Sequence, residues 1–401
     1  MAEVQGLDFS MHVVLEISIA CLSSDCITFV LWKVGAKRVW ACTDSHLTDS
    51  SSAMSWYSNI YTYVREYKQR NPIRGFFLAR LLNILLIAQI LGLAYSTYVY
   101  FAIVCGYFVQ SSLQATLYIC IHVSLAFMAS WSLLTAFFLS VKRIPPNWAV
   151  PAEVDENLKS CTPFENGRYV VDKSTPEQTV QQHRILTRVA ADLGVVQAEC
   201  DQAGRNKYCY MCKTLKPDRS HHCSSCGKCV IKFDHHCPWI NQCVNYANYK
   251  PFLLYILYST ITVAWFVVTS LECFVRFVLN KNFLEDAIPL GQVILVLGTY
   301  GVFGYYPLGE MVIFHFGLLS INETTCEQAK PANLKFDFKA DYNMGRRNNF
   351  QQVFGWGLWL FPLNTTVEDG MHFQIRYVDP ANQMRYKRIV NDRITRTLTG
   401  V

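Results

Sequence analysis

The chain has 401 residues, a length that would suit two or three soluble domains, but 51% of them are hydrophobic, 14% are aromatic and only 16% are charged. That composition argues against an ordinary soluble protein and predicts an α-helical integral membrane protein. The formal net charge of +6 favours contact with anionic lipid and anionic small molecules, and we expect no nucleic-acid partner.

Residues 1–75 are predicted to form an N-terminal cytosolic extension, and the sequence suggests no role for it. Met11–Trp32 is moderately hydrophobic but contains Glu16 and Asp25. A charged group at mid-bilayer costs about 2.5–3.5 kcal/mol on insertion scales, so a further membrane segment is disfavoured here. A cleaved signal peptide is also disfavoured, because no basic start and no small-residue cleavage site accompany the run.

Residues 76–141 are predicted to hold the first two transmembrane helices. From Leu81 through Val141 there is no Asp, Glu, Lys or Arg. A helix that crosses a bilayer needs roughly 20 apolar residues, so we expect helices near Leu81–Val104 and Leu113–Val141. A buried pair of soluble helices is the alternative, and the complete lack of charge argues against it.

Residues 142–207 are predicted to form a cytosolic linker between the second span and a cysteine cluster. Pro145, Pro146 and Pro151 should stop the helix at the membrane surface, because proline interrupts helical hydrogen bonding. Glu177–Leu193 has apolar residues at helical spacing with charges between them. This pattern predicts a short amphipathic helix that packs on the bilayer or on the cytosolic domain.

Residues 251–320 are predicted to hold two further spans, and residues 321–401 a cytosolic tail. The third span covers Pro251–Leu271 and the fourth roughly Ala287–Leu319, an apolar run interrupted by one acid and by His315. Lys and Arg are abundant before span one, between spans two and three, and after span four. The positive-inside rule therefore predicts four transmembrane helices, with both termini and the domain between helices two and three in the cytosol.

Residues 208–250 contain seven cysteines and four histidines, between Cys209 and Cys243. Short C-x2-C steps present two thiolates from one tight turn, and zinc takes four sulfur or nitrogen ligands in a tetrahedron. Cytosolic thiols stay reduced, which disfavours a disulfide framework. The ligands suffice for two closed sites and leave at least one Cys–His pair over. A structural zinc module has no use for a spare thiol beside an imidazole, whereas a thiol-based enzyme does.

The order of these residues is specific. Cys209-x2-Cys212-x9-His222-Cys223-x2-Cys226-x2-Cys229 is followed by Asp234-His235-His236-Cys237-x5-Cys243. This run resembles the cysteine-rich domain of the DHHC-family protein S-acyltransferases (palmitoyltransferases). Downstream, Thr324-Thr325-Cys326-Glu327 is similar to the family's T-T-x-E motif, and Asn349–Gly355 is similar to its carboxy-terminal motif.

The resemblance implies two interleaved zinc sites, each with three cysteines and one histidine. One zinc would take Cys209, Cys212, His222 and Cys229. The other would take Cys223, Cys226, His236 and Cys243. The spacing by itself leaves this pairing open. Because both sites are closed, the two ions would be structural and would hold a loop-rich domain in one conformation.

The same resemblance leaves Asp234, His235 and Cys237 for catalysis. Only a thiolate attacks, so His235 would take the proton of Cys237 and Asp234 would orient the imidazole. The acyl donor would be a long-chain fatty acyl-CoA, with palmitate the expected chain. The acceptors would be cytosolic-face cysteines of membrane-associated proteins at the Golgi, endoplasmic reticulum or plasma membrane. Lys216 and Arg219 are candidates to contact the coenzyme A phosphates.

Three other interpretations compete with an S-acyltransferase. An inactive membrane scaffold could use the zinc domain to bind partners, but it would have no need of Asp234, His235 and Cys237. A metal transporter would need ligands inside the spans, and the cysteines cluster outside them. A zinc-finger reader of nucleic acid would lack membrane spans and would carry a recognition helix after its cysteines.

Overall fold

The structure is a computed structural model that describes residues 72–139, 141–279, 283–301, 306–335, 340–367, 369–378 and 386–389. The predicted extension of residues 1–75, with the run Met11–Trp32, lies outside the described residues except for its last four positions. The chain divides into two compact units. Among the described residues, the first unit comprises Leu93–Ala126 and Leu257–Met311, and the second comprises residues 72–92, Phe127–Ile256 and those from Val312 onward.

Helices dominate the described part of the chain. They are α1 (Pro72–Val99), α2 (Ser112–Phe138), α3 (Ala152–Ser160), α4 (Pro176–Asp192), α5 (Tyr249–Leu279), α6 (Phe283–Tyr300), α7 (Tyr306–Ile321), α8 (Thr325–Ala329) and α9 (Arg346–Phe354). A π-helical segment, Tyr100–Phe108, continues α1, and short 3-10 turns cover Pro146–Trp148 and Val171–Lys173.

The strands are short and pair into small antiparallel sheets. They are β1 (Phe164–Glu165), β2 (Arg168–Tyr169), β3 (Glu199–Cys200), β4 (Tyr208–Cys209), β5 (Thr214–Leu215), β6 (His221–Cys223), β7 (Lys228–Val230), β8 (Phe233–Cys237), β9 (Gln242–Asn245), β10 (Asn333–Leu334), β11 (Ala340–Asp341), β12 (Ile375–Val378) and β13 (Tyr386–Ile389). The pairs are β1–β2, β3–β10, β4–β5, β6–β7 and β8–β9, and the one larger sheet has the order β11–β12–β13.

Three stretches of helix in the described residues are long and apolar enough to cross a membrane. They are Leu86–Phe108, Ser112–Phe138 and Tyr249–Leu279. Each overlaps one of the first three predicted spans. A helix satisfies its own backbone hydrogen bonds, which lipid cannot do for it, so these helices fit a multi-pass membrane protein.

The predicted fourth span differs from the structure. In place of one helix over Ala287–Leu319, the described residues contain two shorter apolar helices, Ala287–Tyr300 and Leu308–Ile321, each below the length of a full span. The sequence favours a helix start at this point, because Pro307 lies in the first turn of α7, where its missing backbone N–H costs no helical hydrogen bond.

The first unit has an apolar core built from the π-helical segment, α5 and α6. Tyr100, Phe266 and Val293 are almost completely buried in it. The Tyr100 hydroxyl donates a hydrogen bond to Thr269 Oγ1 at 3.0 Å. Its polar end is therefore satisfied inside an otherwise apolar core.

The second unit contains the linker, in which the predicted amphipathic helix is present as α4. Thr175 and Gln178 exchange hydrogen bonds at its start and form a capping box. Leu186 and Gln182 lie on its buried face, whereas Val180 is exposed. Gln182 is tolerated on the buried face because its side-chain amide makes internal hydrogen bonds.

Candidate active site

Three β-hairpins position the cysteines and histidines of the second unit. In the β6–β7 hairpin His222 lies directly opposite Cys229, and in the β8–β9 hairpin His236 lies opposite Cys243. Residues paired in this way hold their Cβ atoms about 4.5–5.5 Å apart. Each hairpin therefore brings one histidine and one cysteine together, and a C-x2-C turn from the preceding hairpin supplies two more thiols.

The first cluster has the donor set and the size of a zinc site. His222 Nδ1 lies 3.5 Å from Cys209 Sγ, 3.2 Å from Cys212 Sγ and 3.9 Å from Cys229 Sγ. In a tetrahedron with the usual Zn–S and Zn–N bond lengths, sulfur and nitrogen ligands would be about 3.6 Å apart. These four residues can therefore hold a zinc ion.

The second cluster is built in the same way. His236 Nδ1 lies 3.7 Å from Cys223 Sγ, 3.4 Å from Cys226 Sγ and 3.7 Å from Cys243 Sγ. The Sγ atoms of Cys226 and Cys243 are 3.4 Å apart. The geometry thus gathers the same two sets of four residues that the family resemblance implied.

Strand β8 contains both the candidate metal ligand His236 and the three residues that the resemblance assigns to catalysis. Side chains alternate along a strand, so His235 and Cys237 point to one face while His236 points to the metal cluster on the other. A register shift between Phe233 and His235 interrupts the alternation at Asp234. Such a bulge re-aims a side chain, and the Asp234 carboxylate reaches the ring of its neighbour, with Oδ2 2.6 Å from His235 Nδ1.

Asp234 is buried, and both of its carboxylate oxygens accept hydrogen bonds. Its Oδ1 accepts the backbone N–H of Thr325 at 3.0 Å, and its Oδ2 accepts the Thr325 hydroxyl at 2.9 Å. Burial alone would raise the pKa of this carboxyl, but the hydrogen bond with His235 and the other favourable contacts outweigh it and lower the pKa to about 2. Asp234 is therefore a carboxylate that accepts hydrogen bonds and positions the imidazole.

His235 links Asp234 to the thiol of Cys237. Burial lowers the pKa of His235, but its hydrogen bonds to Asp234 and Cys237 more than offset this effect and raise the pKa to about 9. The edge of the Phe252 ring packs against the imidazole, with centroids 5.3 Å apart. His235 is 2% exposed and Cys237 is 5% exposed, so the thiol lies beside a base in a site that excludes most water.

A second histidine, His315, lies against Asp234 and His235. In the sequence it interrupts an apolar run. His315, on α7, is fully buried, and its ring centroid is 5.8 Å from that of His235. Its Nδ1 is 3.4 Å from the hydroxyl oxygen of Tyr249. A ring nitrogen of His315 lies within 4.8 Å of the Asp234 and His235 atoms. The rule that an ionisable residue in an apolar segment marks a functional site would have found it.

Lys216 and Arg219, the two candidates for contact with coenzyme A phosphates, are both buried. Arg219 is fully buried, and its Nη2 and Nε both donate to the carboxylate of Glu327 at 2.7 Å. Lys216 is 6% exposed and lies close enough to Cys209 for its charge to act on that thiol. Their contact with coenzyme A phosphates stays a prediction.

Hydrogen bonds from the T-T-x-E motif tie the tail to the hairpins of the site. Thr325 contacts Asp234, and Glu327 pairs with Arg219. The amide of Asn349, 1% exposed, donates to the Ser320 carbonyl at 2.8 Å and accepts from the Met344 N–H at 2.9 Å. Asn349 therefore joins α9 to the end of α7.

Comparison with known proteins agrees with this geometry. The sequence model of the DHHC palmitoyltransferase family matches residues 202–332. The chain is similar to palmitoyltransferase spe-10 of Caenorhabditis elegans, with 52% identity over 339 residues, which cover 84% of this chain and 96% of the relative. It is also similar to palmitoyltransferase ZDHHC20-A of Danio rerio, with 31% identity over 291 residues, 72% of this chain and 76% of the relative. The chain belongs to the DHHC palmitoyltransferase family and is a protein-cysteine S-palmitoyltransferase.

Proposed function

We propose that Cys237 transfers a long-chain fatty acyl group from acyl-CoA to protein cysteines through an acyl-enzyme. The observation that carries this proposal is the buried line from Thr325 through Asp234 and His235 to Cys237. Asp234 holds His235 Nδ1, which leaves Nε2 to accept the thiol proton. The thiolate of Cys237 attacks the thioester carbonyl carbon, and coenzyme A leaves as a thiol after taking the proton back from His235.

The second half-reaction repeats the first with an acceptor cysteine. Its thiol gives a proton to His235, its sulfur attacks the acyl carbonyl on Cys237, and Cys237 leaves and is reprotonated. One thioester replaces another in each step, so no nucleotide hydrolysis is needed. Burying the acyl chain in apolar surroundings contributes about 0.8 kcal/mol per methylene, which favours a long chain such as palmitate.

The two metal clusters support this function indirectly. Each would hold a zinc ion with four protein ligands, and a closed site has no position for substrate. We assign them to fixing the hairpins that carry Asp234, His235 and Cys237. We also propose four spans with the zinc domain and both termini in the cytosol, α6 and α7 together supplying the fourth crossing. Acyl-CoA and cytosolic-face cysteines of membrane-bound proteins would then meet Cys237 at the bilayer surface.

Labelling with acyl-CoA tests the proposal. Purified chain in detergent is incubated with radiolabelled palmitoyl-CoA and then treated with hydroxylamine, which cleaves thioesters. We expect hydroxylamine-sensitive label on the wild type and on Cys200→Ser, a half-buried cysteine outside both clusters, and none on Cys237→Ser. An unlabelled wild-type chain that retains its zinc would contradict the proposal and favour the scaffold interpretation.

A further inference from the structure

An apolar loop follows α9 and belongs neither to the metal clusters nor to the catalytic group. It runs from Trp356 to Leu363 with the sequence Trp-Gly-Leu-Trp-Leu-Phe-Pro-Leu, and we call it the tryptophan loop. Trp356 is 74% exposed, and Leu358 and Leu360 are 57% and 63% exposed. Contiguous apolar surface of this kind marks an interaction site.

The base of the tryptophan loop is rigid. Gly355 has φ +73°, and a Cβ there would lie 2.3 Å from the Thr365 carbonyl oxygen, so only glycine permits the approach of the two loop ends. The Thr365 hydroxyl donates to the Phe354 carbonyl at 2.6 Å. Within the loop, Trp359 Nε1 donates to the Gly355 carbonyl at 3.1 Å. The exposed side chains therefore belong to a loop whose two ends are fixed to each other.

Two contacts tie the tryptophan loop to the ends of two candidate membrane spans. Lys250, in the first turn of α5, is 2% exposed, and its Nζ donates to the Leu358 carbonyl at 3.1 Å and to Thr365 Oγ1 at 2.7 Å. Trp131, two turns before the end of α2, has its ring centroid 6.0 Å from that of Phe361. The loop therefore lies where α2 ends and α5 begins.

The surface of α2 beside Trp131 is apolar and exposed. Phe127 is 61% exposed, Leu134 37% and Phe138 73%. On a helix of membrane-crossing length, such a surface is covered by lipid. Because Phe361 packs on Trp131, the apolar surface of the tryptophan loop continues the lipid-covered surface of α2. Tryptophan is enriched at the boundary between headgroups and hydrocarbon, which fits two tryptophans in this loop.

We propose that the tryptophan loop inserts into the bilayer interface, where it contacts phospholipid at the boundary between headgroups and acyl chains. The insertion would hold the C-terminal region at the membrane surface. The same region contributes Thr325 to Asp234 and Asn349 to the end of α7. The lipid contact does not depend on the acyl-transfer proposal.

Site-specific photocrosslinking tests the contact. The full chain carries Cys237→Ser, so that acylation plays no part, and is reconstituted in nanodiscs of phosphatidylcholine and phosphatidylserine. Benzoylphenylalanine replaces Trp356 in one sample and Phe164, which is 60% exposed on β1 of the linker, in the other. After irradiation, mass spectrometry identifies the adducts.

We expect phospholipid adducts several-fold more abundant at position 356 than at position 164. Adducts of position 356 with a second copy of the chain, or no lipid adduct above the level at position 164, would overturn the proposal. The palmitoyl-CoA assay on chain with a native Cys237 is scored separately, so a failure of acyl transfer and a failure of lipid contact give different results.

Discussion

At the scale of single residues, the hydroxyl of Thr325 supports the proposed catalytic group. It donates to Asp234 at 2.9 Å while the backbone N–H of the same residue donates to the other carboxylate oxygen. Hydrogen bonds to charged groups contribute about 1.5–3 kcal/mol. We expect Thr325→Val to slow formation of the acyl-enzyme about tenfold or more, measured as the rate of palmitoyl-CoA labelling.

Thr325→Ser is the matched control, because it keeps the hydroxyl and should label at close to the wild-type rate. Equal rates for the valine and serine variants would show that the backbone contact alone orients Asp234.

His315 makes a second prediction at this scale. Its ring packs on His235 and Phe252, with centroids 5.8 and 5.0 Å away, and contacts Tyr249. Truncation to alanine should let the His235 ring leave its reactive orientation. We expect His315→Ala to lower kcat about tenfold, equivalent to roughly 1.4 kcal/mol, with a smaller change in KM. His315→Gln, which keeps polar atoms in that space, should recover much of the rate. An alanine variant with the kcat of the wild type would refute a role of His315 in positioning the His235 ring.

Arg219 and Glu327 form a buried ion pair, and we expect this pair to contribute to the stability of the fold rather than to activity. Removing one member of such a pair costs about 3–5 kcal/mol, because the other charge stays buried without its partner. Arg219→Met should therefore lower the unfolding temperature in detergent markedly. Arg376→Met removes the half-exposed pair with Asp341 and should change it little. Similar unfolding temperatures for the two variants would contradict a stabilising role for the buried Arg219–Glu327 pair.

At the scale of elements, the paired hairpins predict that each metal cluster can be emptied separately. Cys212 belongs to the first cluster and Cys226 to the second, so either Cys→Ser variant should lose about half of the bound zinc, measured by plasma mass spectrometry. Closed sites of this kind contribute folding free energy directly. Both variants should also become sensitive to protease within the hairpins, whereas Cys200→Ser should keep its full metal content. Loss of both ions from each single variant would show that the sites fold as one unit.

The elements also show what the sequence could predict. The uncharged run from Leu81 to Val141 predicts two apolar helices, because lipid permits little else. The cysteine spacing predicts the metal ligands, and the family resemblance implies how they divide into two clusters. The bulge at Asp234 carries no such pattern, since it depends on how β8 registers with β9. The burial of Arg219 was likewise hidden, because its partner Glu327 lies 108 residues away in the chain. Local periodicity does not encode such long-range pairs.

At the scale of the whole molecule, the proposed four-span arrangement places the turn after the π-helical segment on the side of the membrane opposite to the tail. An epitope inserted after Gln110 and a second epitope after Val401 test this directly. With only the plasma membrane permeabilised, antibody should reach the second epitope and not the first in intracellular membranes. Staining of both epitopes would mean an even number of crossings between them, as expected if α6 and α7 together do not cross the membrane, and would refute the arrangement.

Strand β8 carries the proposed metal ligand His236 on one face and the proposed nucleophile Cys237 on the other, one residue apart. If both clusters hold zinc as proposed, a chain without the metal would lack the fixed hairpin that keeps Cys237 beside His235. Such a chain should take no acyl group from acyl-CoA.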